Sequence, residues 1–252
     1  MEQMTHGDND KMNTVLHDSG YLPKHLQLVL LNTEAPTTAI MEPVNRIQAD
    51  QEVQHHGETK SRGSKLIAFG WYGGKYSHLD WLLPLLPRCK HYCEPFGGSA
   101  AVLINRKPSE VETFNDIDSE IVNFFRVLRD EKDKLIEAIG LTPFSREEFI
   151  RAIDEPSDNL TDIEKARRFF IRARQVRTGL AQTASNGRWA HCVLTSRAGM
   201  AGAVSRWLGS VEGLAEVAQR LLRVQVECCP AIEVIKRYDS PDTLFYCDPP
   251  YP

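Results

Sequence analysis

The sequence predicts an α/β fold built on a parallel sheet. Three observations point there: four short apolar segments of strand character, helical segments between them, and a turn-forming or charged residue where each strand stops. The strand segments are residues 91–94, 111–115, 223–228 and 243–247, each with β-branched or aromatic content. Strand–helix–strand alternation requires parallel pairing with right-handed crossovers.

Each element follows in order. Residues 99–105 form a short helix after the first strand. Residues 119–139 form a longer one after the second, because Ile121, Val122, Phe125, Leu128, Leu135, Ile136 and Ile139 recur near a 3.6-residue period. Asp118 stands where an N-cap is expected. Residues 231–237 join the third strand to the fourth. The interval from residue 116 to residue 222 is far too long for one crossover. Its excess, residues 141–209, reads as an inserted, mainly helical subdomain. Residues 1–64 hold five of the eight histidines and little periodicity, so they read as a mostly disordered extension with a short helix over residues 23–31. The catalytic domain is then expected over residues 65–140 and 210–252.

Composition sets the outer bounds. The chain has 252 residues, 42% hydrophobic and 25% charged, enough for a full core. No apolar run is long enough to span a membrane, and residues 1–10 lack the basic start of a secretion signal. The six cysteines lie in or beside apolar runs and read as reduced thiols, which places the protein in the cytoplasm. Cys89, His91 and Cys93 lack the second ligand pair that a zinc ribbon needs, and His55-His56 reads as solvated, so no metal is expected. A net charge of −4 argues against a polyanionic partner only if charge is evenly spread. It is not. Residues 165–206 carry nine basic and no acidic residues, leaving 21 basic against 34 acidic elsewhere, a net of −13. Eight of the nine are arginine, suited to forked phosphate and guanine contacts. Arg172, Arg174, Arg177, Arg188 and Arg197 are the candidate nucleic-acid contacts.

The strand ends carry the chemistry. The first strand runs into Glu94-Pro95-Phe96-Gly97-Gly98-Ser99-Ala100, a glycine-rich turn that lets backbone approach a ligand. Asp116 ends the second strand 18 residues after Gly98, where nucleotide-binding α/β folds place a carboxylate that accepts from ribose hydroxyls. The turn lacks the full dinucleotide fingerprint, which disfavours a nicotinamide cofactor. The fourth strand ends in Asp248-Pro249-Pro250-Tyr251, bringing a carboxylate, carbonyls beside proline nitrogens that cannot donate, and an aromatic ring to the carboxyl edge of the sheet.

Together with Trp71-Tyr72-Gly73-Gly74-Lys75-Tyr76, these motifs resemble, in kind and in order, the Dam-like (class alpha) adenine-specific DNA methyltransferases over residues 65–252. The resemblance implies a Rossmann-like, S-adenosylmethionine-dependent methyltransferase sheet with residues 141–209 as the target-recognition insertion. It implies Trp71 and Lys75 against the amino-acid end of S-adenosylmethionine, Phe96 and Gly98 lining its pocket, and Asp116 on its ribose. Asp248, Pro249, Pro250 and Tyr251 would hold the target adenine, with Asp248 also facing the cofactor. The partner implied is double-stranded DNA, met by a monomer that flips the base from the stack. Alternatives are methylation of cytosine N4 or of RNA, or a catalytically silent DNA-binding remnant. Three departures stand out: Ala100 where many relatives carry glycine, Pro230 where a polar residue commonly approaches the cofactor adenine, and an expected truncation after the Asp-Pro-Pro-Tyr turn.

Overall fold

The computed structural model describes residues 27–30, 65–155, 158–197 and 199–250. Its strands are β1 (Gln27–Leu30), β2 (His91–Glu94), β3 (Val111–Asn115), β4 (Ser196–Arg197), β5 (Met200–Ala201), β6 (Gln225–Glu227) and β7 (Thr243–Cys247). Five of them form one sheet in the order β1-β7-β2-β3-β6, with every neighbouring pair parallel. β4 and β5 form a small antiparallel ribbon. The α-helices are α1 (Leu79–Leu82), α2 (Ala101–Asn105), α3 (Ser119–Asp130), α4 (Lys132–Gly140), α5 (Arg146–Asp154), α6 (Asp162–Gln175), α7 (Gly202–Glu212), α8 (Leu214–Leu221) and α9 (Ala231–Tyr238).

The parallel α/β architecture is the one the strand–helix alternation predicts, with three differences in detail. The helix expected near residues 23–31 is instead a strand, paired with β7 from Gln27↔Leu244 to Leu30↔Cys247. Ladder pairing satisfies backbone groups along β7 that an open edge would leave exposed. The remainder of residues 1–64, read as an extension, lies outside the described residues. The helix expected over residues 119–139 is two, because Glu131 sits at φ −128°, ψ 38° between α3 and α4. That bend turns the apolar faces of both helices onto α6. The third strand is shorter than residues 223–228, pairing only over Gln225–Glu227 as an edge strand.

Two cores flank the sheet. On one face Cys93, Phe245 and Cys247 pack with Val234 of α9. On the other, α3 and α6 meet through aromatic rings: Phe69 lies 5.5 Å from Phe124, 5.4 Å from Phe125 and 4.9 Å from Phe169, and Phe124 stacks on Phe170. Aromatic contacts of this kind add to the area each ring buries. Both helices begin with a cap: Asp118 accepts from the Glu120 N–H and Thr161 from the Glu164 N–H. Since α6 belongs to the stretch read as an insertion, that stretch shares the aromatic core with α3.

β3 also carries a carboxylate inside the fold. Glu112 is fully buried and accepts from Arg106 at 3.0 Å, from Arg220 at 2.6 and 2.8 Å, and from the Ser109 N–H at 3.1 Å. A buried charge with this many partners is retained only as a set, because removing one member strands the others without water. Glu112→Ala is therefore expected to lower the unfolding free energy by about 3–5 kcal/mol. Urea titration checks this, with Lys134→Ala, from an exposed helix pair, changing little.

Candidate active site

In the sheet order, β2 leads to β3 on one side while β7 lies on the other. Ligands of open α/β sheets bind beyond the strand carboxyl ends at such a reversal. A cleft of about 380 Å³ opens there, between the ends of β2 and β7. Its size suits a small-molecule site. Trp71, Lys75, Phe96, Gly98, Asp116, Asp248, Pro249 and Pro250 line it.

The glycine turn is shaped by close packing. A side chain at Gly97 would meet the Phe114 ring at 2.0 Å, and Gly98 at φ +50° brings its backbone against Trp71. Ala100 follows in the left-handed region at φ 54°, so α2 starts at Ala101 rather than at Ser99. Asp116 holds this turn in place: its carboxylate accepts from the Gly98 N–H at 2.7 Å and the Asp118 N–H at 2.9 Å. Partial burial raises its pKa. Asn115 ties the neighbouring strand ends together. Its amide donates to the Pro95 and Cys229 carbonyls at 2.8 and 3.0 Å and accepts from the Cys229 N–H at 3.0 Å.

At the floor, Lys75 Nζ lies 2.5 Å from Asp248 Oδ2 and donates to the Gly73 carbonyl at 2.7 Å. The two side chains are only 6% and 16% exposed. A charge-assisted contact in so dry a setting fixes the carboxylate plane. Glu94, also buried, accepts from the Tyr92 hydroxyl at 2.8 Å, and burial pushes its pKa up to about 8. At neutral pH it carries a proton. Trp71 reaches the cleft from the aromatic core, 6.0 Å from Phe69 and 6.4 Å from Phe169.

The structure brings together Trp71, Lys75, Phe96, Gly98, Asp116, Asp248, Pro249 and Pro250; Tyr251 lies outside the described residues. The cleft also includes Ile117, Gln182 and Ala231, which the motifs did not identify. Ile117, an exposed apolar residue beside Asp116, and Ala231, next to Pro230, were adjacent to noted positions. Gln182 had no local signal.

The basic stretch needs correction. Three of its nine basic residues, all on α6, pair with carboxylates outside residues 165–206. Arg167 pairs with Glu164 and Glu148, Arg168 with Glu164 and Glu155, and Arg172 with Glu120. Arg174 donates to the Ala68 and Ile67 carbonyls at 2.9 and 3.1 Å, and burial brings its pKa down to about 10. Arg172 and Arg174 thus have internal partners, whereas Arg177, Arg188 and Arg197 are exposed. Arg177 and Arg188 are adjacent, through a 2.7 Å bond from the Arg177 N–H to the Arg188 carbonyl.

A parallel sheet with a cleft at its switch point, a glycine turn beneath it and a carboxylate at the adjoining strand end defines a small-molecule-binding α/β protein. Residues 71–252 match the D12 class N6 adenine-specific DNA methyltransferase model, and the chain belongs to that family. It is 29% identical to the Type II methyltransferase M1.LlaDCHI of Lactococcus lactis subsp. cremoris, over 47% of this chain and 44% of the relative. It is 23% identical to the Type II methyltransferase M.MjaIII of Methanocaldococcus jannaschii, over 72% and 67% respectively. A DNA adenine methylase of Vibrio cholerae is 25% identical, over 72% and 63%. The matched regions span 44% to 67% of these relatives' lengths. Among the described residues, no helix is long and apolar enough to cross a membrane.

Glu94 links the site to pH. Its pKa lies at about 8 in the fold against 4.5 for the ordinary side chain, so the folded state binds the extra proton between those values. Stability from this group is full below pH 4.5 and is lost as pH rises through about 8. Glu94→Gln is expected to remove that component, seen as a flatter dependence of urea-unfolding stability on pH.

Proposed function

We propose that the chain transfers a methyl group from S-adenosylmethionine to the exocyclic N6 of adenine in duplex DNA. The observation that carries this is the Lys75–Asp248 pair at the mouth of β7, beside Pro249, in a chain of the adenine-specific family. Lys75 engages Asp248 Oδ2, which leaves Oδ1 to accept from the target amine. The Pro249 carbonyl supplies a second acceptor. Two acceptors on the amino protons favour a pyramidal nitrogen whose lone pair is no longer delocalised into the ring. Orientation and electrostatics then account for the acceleration, with no covalent enzyme intermediate.

The cleft fits the cofactor. Its volume is adequate, and the glycine turn leaves backbone rather than side chain against the cavity, since a Cβ on Gly98 would reach Trp71 at 2.9 Å. When bound, S-adenosylmethionine supplies an electrophilic sulfonium methyl. Trp71 and Lys75 would hold its amino-acid end, Phe96 and Gly98 its pocket wall, and Asp116 its ribose. Ile117 and Ala231 are the apolar surfaces for its adenine. Tyr251 would stack on the flipped target base. Residues 141–209 form the target-recognition insertion of a catalytic domain made of residues 65–140 and 210–252. Arg177, Arg188 and Arg197 would meet phosphate or base edges.

Asp248→Ala is expected to lower methyl transfer to unmethylated duplex DNA by at least about 10³-fold while S-adenosylhomocysteine still binds. Turnover is read by mass spectrometry of the product nucleosides. Near-normal turnover in the variant would sink the assignment, and a wild-type chain that binds DNA without turnover would support the silent remnant instead. For the arginines, Arg188→Ala is expected to weaken DNA binding and reduce the slope of log affinity against log salt by about 1. Arg174→Ala should act chiefly on thermal stability.

A further inference from the structure

Resting on that assignment of cofactor and DNA, we propose that Gln182 is a positioning residue that couples cofactor affinity to DNA engagement. The loop after α6 carries both Arg177, exposed at the surface, and Gln182 at the cleft. With its amide oriented so that the oxygen faces the donors on that side, Gln182 accepts from two groups of the cofactor wall, the Tyr72 N–H at 3.2 Å and Trp71 Nε1 at 3.0 Å. The same wall is joined to α6 further back, through the Arg174 bonds to the Ile67 and Ala68 carbonyls. Between these anchors the Gly179 carbonyl packs where a side chain on Gly70 would stand, 2.1 Å from its Cβ position. Forward of them, the Gly74 N–H donates to the Trp71 carbonyl, and Lys75 leads on to Asp248. A continuous set of contacts therefore runs from an exposed arginine loop to the cofactor wall and the catalytic carboxylate.

The physical consequence is reciprocal. Ordering the loop on DNA holds Gln182 against Trp71 and Tyr72, which readies the wall for the cofactor, and cofactor against that wall favours the DNA-engaged loop to the same extent. Gln182 is exposed and outside the core, so its replacement leaves the fold intact.

The test is calorimetric titration of the full chain with S-adenosylhomocysteine, with and without sheared, unmethylated duplex DNA. DNA is expected to tighten binding by about 5-fold or more in the wild type. Gln182→Leu, which keeps the bulk but not the acceptor, should lose that ratio, and Gln182→Glu, which keeps an acceptor oxygen, should retain it. Melting temperatures of both should match the wild type. Trp71→Phe, which removes one donor and keeps a ring beside Phe69 and Phe169, should lower the ratio. An unchanged ratio in Gln182→Leu, or a wild type whose affinity ignores DNA, overturns the coupling. A wild type that binds no S-adenosylhomocysteine overturns the cofactor assignment itself.

Discussion

The buried contact between Lys75 and Asp248 joins residues 173 apart in sequence and closes the cleft at its floor. Each charge is tolerable out of water only because the other is there. That requirement places the segment carrying Lys75 against the end of β7, and β7 is held in turn between β1 and β2. The glycine turn and Trp71 line the same cleft, and the amide of Asn115 clamps the strand ends at Pro95 and Cys229. A carboxylate held in one plane by a lysine is an acceptor of defined direction. A solvated aspartate at the same strand end would not be.

Charge is organised differently from its order along the chain. The basic stretch over residues 165–206 looks uncompensated in sequence, yet its helical part faces Glu120, Glu148, Glu155 and Glu164. These arginines hold α6 to α3 and α5 and lend little positive field to the surface. The exposed arginines lie beyond the helix: Arg177 in the segment that leads to the cleft, Arg188 after it and Arg197 in β4. Similarly, Glu112 looks like an ordinary polar residue of a half-exposed strand, but it organises Arg106 and Arg220 inside the fold. Ion pairs here serve as architecture, and the exposed cations are the few left outside the pairs.

What could be read directly was local. Three of the four expected strands coincide with β2, β3 and β7, because apolar runs ended by turn residues are local signals. The motifs at the strand ends were equally legible, since Phe96, Gly98, Asp116 and Asp248 each follow a strand and a parallel sheet sends all such ends to one edge. The break at Glu131 was hidden, because apolar spacing continues across it and only packing on α6 requires the bend. β1 was hidden for a related reason: a short apolar-rich run suits helix or strand, and the ladder with β7 decides between them.

The sequence by itself determined the fold class, the strand-end motifs and the family those motifs resemble. Hydrophobic period and turn chemistry act over a few residues, so they survive in one dimension. Tertiary structure alone decided which cations are balanced, that Glu94 keeps a proton at neutral pH, and that Gln182 reaches a wall 110 residues away. Each of those depends on desolvation or on a partner distant in the chain. Neither is written in local order.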